Sequence, residues 1–193
     1  MTDYDPKATL QRYLQRGRDA LVWKLEGLSE YDIRRPLTPT ATNLLGIVKH
    51  VAMVEAGYLG ATFGRPIADM LPGFEDGAEL NADMWAAPEQ TREEIVGFYR
   101  RVWEHSDATI AALGLDAEGQ VPWWGDANPV TLHHVLVHMI AENERHAGHA
   151  DIVRELIDGA AGIRPDNTNL ASDDAGWWKS YYARVEQAAA TFR

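Results

Sequence analysis

The residues best suited to chemistry lie in one stretch, TLHHVLVHMIAENERHAGHADIVRELID, from Thr131 to Asp158. It holds five of the chain's seven histidines. The spacing predicts a single long helix. At 100° per residue, His138, Glu142, Arg145, His146 and His149 fall within about 100° of one another. Val135 lies above them and Ile152, Val153 and Leu156 below, so the stripe is expected to face a core. Imidazole and carboxylate groups turned inward need partners. Several converging on one line point to a metal ion. Glu142 and His146, at i and i+4, stand one turn apart on the same face and can hold one ion. That donor pair suits zinc first, with nickel or iron as alternatives.

A third donor must come from another helix. The segment NLLGIVKHVAMVEAGYLGA, capped by Thr42-Asn43 and running to about Thr62, is predicted helical. Its face Leu44, Ile47, Val51, Val54, Tyr58 and Ala61 is apolar except for His50. A lone histidine on an apolar face is more often a hydrogen-bonded core residue than a ligand. His50 is also the only histidine on that face, and so the natural third donor. Two His and one Glu would leave coordination positions open, as in catalytic rather than structural zinc. Other candidates are less defined. Arg145 could bind a substrate carboxylate or pair with Glu142 or Glu55. His149 could serve as an acid or base at the pocket, or support a ligand. His138 reads as a core or supporting group, and His105, His133 and His134 as surface or capping residues. Trp123 and Trp124 suit a pocket mouth or core packing equally.

The rest of the chain must position these groups. Apolar spacing predicts a helix over residues 7–27, then a short helical turn started by Ser29-x-x-Asp32. After the His50 helix comes a Gly-, Pro- and Asp-rich connection, residues 64–90, carrying Phe74, Met84 and Trp85. A connection this long is expected to form a lid or part of a pocket. A capping box, Thr91 with Glu94, starts the next helix, which ends at Gly114. Gly159 stops the histidine-bearing helix. A tail helix is expected from about Asp174, with Trp177, Trp178, Tyr181 and Val185 on one side. Four long helices and no convincing strand predict an all-α bundle forming one domain over 1–193. The connection lengths permit an up-down-down-up order.

Composition excludes several functions. A net charge of −11 and the lack of any Lys/Arg cluster argue against nucleic acid as a partner. No apolar run approaches the length of a membrane span. The N-terminus shows no charged-then-apolar leader, so a cytoplasmic location is expected. There is no cysteine, which removes disulfides, Cys-ligated zinc and any protein thiol nucleophile. Thiol chemistry here must use a small-molecule thiol. The His-Glu-x-x-His pattern, a di-iron pair of Glu-x-x-His helices, a phosphate-binding Gly loop and a G-x-S-x-G elbow are all absent.

The order of elements, the histidine midway in NLLGIVKHVAMVE, and LVHMIAENERHAGHADIVRELIDG resemble the DinB-like superfamily. Within it they resemble the branch of mycothiol-dependent maleylpyruvate isomerase and mycothiol S-transferases. Many DinB-like proteins carry His-x-x-x-His-Arg-Gly late in the last bundle helix. Here the matching residues are Glu142-x-x-x-His146-Ala147-Gly148-His149, with Glu first, as in the mycothiol branch. The likeness covers roughly residues 8–160. It implies an up-down-down-up bundle and a divalent metal on His50, Glu142 and His146. It also implies a metal-dependent S-transferase that takes a low-molecular-weight thiol of the mycothiol type and a small electrophile. The isomerase has a further C-terminal domain for which 193 residues leave no room, which argues against isomerase activity. A metal-dependent hydrolase of a small substrate and a non-catalytic metal-binding stress protein are the alternatives. So is a metal-free bundle whose histidines are satisfied core groups. A homodimer paired through an apolar helix face is a further expectation.

Overall fold

A computed structural model describes residues 5–75 and 77–193. The leader reading above rests partly on residues 1–4, outside that range. Six α-helices follow in order: α1 Pro6–Trp23, α2 Glu30–Arg34, α3 Leu44–Leu59, α4 Arg92–Ala112, α5 Leu132–Asp158 and α6 Ala175–Ala190. The long helices α1, α3, α4 and α5 form the DinB-like four-helix bundle. α1 packs chiefly on α5, and α3 packs on α4 and α5.

The helix ends follow local chemistry. Asp5 accepts from the amides of Lys7 and Ala8 ahead of Pro6. Asn43 accepts from Gly46 N at 2.7 Å. Thr91 and Glu94 form the reciprocal capping box, and Thr131 caps α5. Gly159 ends α5 at φ 80°, the left-handed conformation that only glycine adopts without cost. Asp174 caps α6.

Two boundaries differ from expectation. α1 stops at Trp23 rather than near Gly27: the amides of Leu25 and Glu26 bond back three residues to Val22 and Trp23, and Arg154 Nη1 donates to the carbonyls of Lys24 and Glu26. α3 stops at Leu59, and Gly60 turns the chain into a 3₁₀ turn, Ala61–Phe63. A two-residue antiparallel ladder, β1 Glu118–Gly119 with β2 Val130–Thr131, closes the α4–α5 connection. Two residues are too short to show strand alternation in a sequence.

Leu44–Phe63 is long and apolar enough to pass for a membrane span, contrary to expectation, because it averages Lys49 and Glu55 against many aliphatic residues. In the fold it is the core helix, with 78% of that window buried inside the bundle. Its two charges are both satisfied. The Lys49 ammonium donates to the carbonyls of Ala82 and Trp85 and to Gln90 Oε1 at 2.7–3.1 Å. Glu55 takes a two-pronged bond from Arg18 of α1, Nη2–Oε1 2.6 Å and Nε–Oε2 3.2 Å. Arg145, expected as a possible partner of Glu55, is exposed and makes no such contact.

Candidate active site

α5 turns a different face inward than the stripe predicts. Its buried residues include Leu132, Val135, Met139, Asn143, Ala147, Ala150 and Val153. Ile152 and Leu156 are each 62% exposed. The line His138, Glu142, His146 therefore runs along the edge of the buried face, one residue's rotation away from its centre. That edge borders α3, which brings His50 alongside. The His50 and His146 rings lie 4.9 Å apart, edge to face. His146 Nε2 lies 3.5 Å from Glu142 Oε2, and His138 Nε2 lies 4.0 Å from Glu142 Oε1.

The donor chemistry fits a divalent ion. Two ligands on one tetrahedral zinc stand about 3.3 Å apart, and two imidazoles sharing it have centroids about 5 Å apart. The Glu142–His146 and His50–His146 pairs match both spacings. Burial, then the neighbouring His50, push His146 down to about 4, so its imidazole is neutral near pH 7 with a lone pair to offer. Its Nδ1 is buried without a hydrogen-bond partner. His50 donates from Nδ1 to Asp83 Oδ2 at 2.5 Å, which leaves Nε2 for the site. The pairs do not close into a finished cage: among the described residues, no three His, Asp or Glu side chains stand in ion-holding geometry.

Asp83 is the contributor that sequence reasoning missed. It is held by a strap, residues 81–86, laid over the start of α3. Asn43 Nδ2 donates to Met84 O at 3.1 Å, and Lys49 grips the carbonyls on either side. Gly46 lets the strap lie flush, because a Cβ there would sit 1.8 Å from Met84 O. No local signal marks Asp83. Its partner is 33 residues away, and the loop has no periodicity.

Beside these donors opens a cavity of 1120 Å³. His50, His138 and Glu142 line it from the helices, and the connection after α3 lines it with Ile67, Met70, Leu71 and Phe74. Trp123 closes one side. Both tryptophans of the Trp123-Trp124 pair donate their indole N–H to Tyr58 Oη at 3.1 Å. Tyr58 and Trp124 in turn pack on the His138 ring at 4.6 and 4.8 Å. Asn128 staples their loop by bonding Val121 at both N and O. Burial lowers the His138 pKa, against the pull of Glu142 in the other direction. Arg145 and His149 are exposed and do not line the cavity, although the His149 ring lies 5.5 Å from that of His146.

A solved structure, that of a conserved protein from Enterococcus faecalis, shares this fold with a TM-score of 0.60. Its identity to this chain is 14%, and the match covers 81% of this chain and 99% of that one. No curated protein matches the sequence. The family model described as mycothiol S-transferase matches residues 9–159. That span runs from α1 to the end of α5 and takes in the cavity and every donor beside it. The chain belongs to the mycothiol S-transferase family.

Proposed function

We propose that this protein is a metal-dependent S-transferase that joins mycothiol to a small electrophile. The observation that carries the reading is the convergence of His50, Glu142 and His146 beside a cavity large enough for two molecules, in a chain with no thiol of its own. His50, Glu142 and His146 would hold a divalent ion, zinc first, which would supply the positive charge that makes a bound thiol acidic near neutral pH. The chain's side chains do the rest. Asp83 fixes the His50 tautomer and ring orientation. His138 lines the cavity, stays neutral near pH 7 and accepts the thiol proton. It takes that role in place of Arg145 and His149, which lie outside the cavity wall. The sulfur then forms a bond to the reacting carbon, and the leaving group departs with its bonding pair.

The test is turnover of chlorodinitrobenzene with mycothiol, with other thiols and with water alone. Chloride release that requires mycothiol supports the transferase. Release with water alone favours a hydrolase, and no release with any of them favours a non-catalytic metal protein.

The strap provides a second check. Gly46→Ala forces Met84 away and should cost about 2 kcal/mol in urea unfolding, within the range for overpacking. It should also weaken zinc binding about tenfold by moving Asp83 off His50. An unchanged zinc affinity would show that the strap does not position the donor.

A further inference from the structure

The cavity has two unlike walls. The helical wall carries the polar groups His50, His138 and Glu142 among apolar residues of α3 such as Met53 and Val54. The loop wall is apolar, and two of its side chains, Met70 and Phe74, stand 40% and 50% exposed at the cavity side without core partners. Large apolar groups left open beside a concave site mark ligand contact. The loop holds its shape from within, since Glu75 Oε2 accepts from the amides of Gly73 and Phe74 at 2.6 and 3.1 Å. Glu75 is thereby tied to its own turn, and it adds negative charge to the rim.

No Lys or Arg is among the described residues lining the cavity. A carboxylate at the far end of a chain lying on the loop wall would lose its hydration beside Glu75, with no Lys or Arg in the lining to offset the loss. Arg145, the residue expected to bind a substrate carboxylate, is not in the lining. The cavity volume exceeds the roughly 300–1,000 Å³ usual for one small ligand, which leaves room for a thiol and a second molecule.

From these observations, and resting on the transferase reading above, we infer that the electrophile is an uncharged molecule with an extended apolar chain. Its reactive carbon faces His138 and Glu142, and its chain lies on the wall built by Met70, Leu71 and Phe74. For an enone of this kind, the sulfur bonds to the β-carbon, the π pair moves to the α-carbon, and the thiol's proton ends there. No further reactant is consumed.

The experiment pairs two homologous series on the full chain. Saturated methyl ketones from butanone to decanone report binding by tryptophan fluorescence, with no turnover needed. The matching enones report kcat/KM with mycothiol. Both should rise about threefold per added methylene until the wall is covered. A keto acid of the same length, with its carboxylate at the chain's far end, should bind at least about tenfold more weakly than the ketone. Met70→Ser and Phe74→Ser, at half-exposed loop positions, should flatten the chain-length slope. A flat series in the unaltered protein overturns the inference. So does an undiminished slope in both variants, or a keto acid that binds as well as the ketone. A chain-length slope in binding without mycothiol-dependent turnover supports the apolar wall while overturning the transferase reading.

Discussion

Glu142→Ala is expected to weaken zinc binding by more than about 100-fold, beyond the 10–100-fold typical of losing a group that only supports a ligand. Glu142 is the middle of the constellation: one carboxylate oxygen faces His146 at 3.5 Å and the other faces His138 at 4.0 Å. Without it, His50 and His146 are left as two imidazoles, too few to hold a labile ion at micromolar concentration. His146→Asn should lose binding to a similar degree, whereas Asp83→Asn should lose about tenfold, because it alters only the partner of His50. Competition with a chromophoric chelator measures all three. One tightly held ion per chain in Glu142→Ala would remove Glu142 from the site. The unfolding temperature without metal should change little in Glu142→Ala, because the side chain is partly exposed and is not held by any short hydrogen bond. The loss is therefore separable from misfolding.

The largest effect on stability is expected at Glu55→Ala, about 3–5 kcal/mol in denaturant unfolding. Both Arg18 and Glu55 have side chains at 0% exposure, and the carboxylate takes two of the guanidinium's donors. Burial pushes the Glu55 carboxyl upward while Arg18 pulls it down, so each charge depends on the other. Removing one leaves the other buried, held only by Gln15 and the partly exposed Asp107. Replacing both together, Arg18→Met with Glu55→Leu, should recover most of the loss, since apolar side chains of similar size need no counter-charge there. A loss below about 1 kcal/mol in Glu55→Ala would mean that water or another group compensates the arginine. Because whole-domain stability is typically about 5–15 kcal/mol, the single variant should still fold at low temperature.

These two sites were unequally legible in the sequence. Glu142 and His146 declare themselves because a helix puts i and i+4 side by side, whatever the surrounding fold. His50 required only the pairing of α3 with α5. The caps at Asn43, Thr91 and Gly159 marked their helix ends, since each satisfies or turns local backbone groups with a nearby residue. The contacts that were not legible join distant segments. Arg18 and Glu55 each look like an ordinary solvated charge on an amphipathic helix. Only the closed bundle, which brings Arg18 of α1 to Glu55 of α3, shows that they are core residues. Asp83 sits in an aperiodic loop, and its role depends on how that loop is strapped over Gly46. The inward face of α5 differs from expectation at Ile152 and Leu156 because Ala150, Val153 and Arg154 turn inward at that end of the helix, which leaves the other two on the outer side. α6 formed where its aromatic spacing indicated, yet it has no buried residue.

The measurement closest to the central claim is the rate of mycothiol-dependent turnover as zinc is titrated into metal-stripped protein. The rate should rise in proportion to zinc and level off near one ion per chain, with no such rise in Glu142→Ala. Turnover that is full in the stripped protein and indifferent to added zinc would contradict the assignment of His50, Glu142 and His146 as the centre of the reaction.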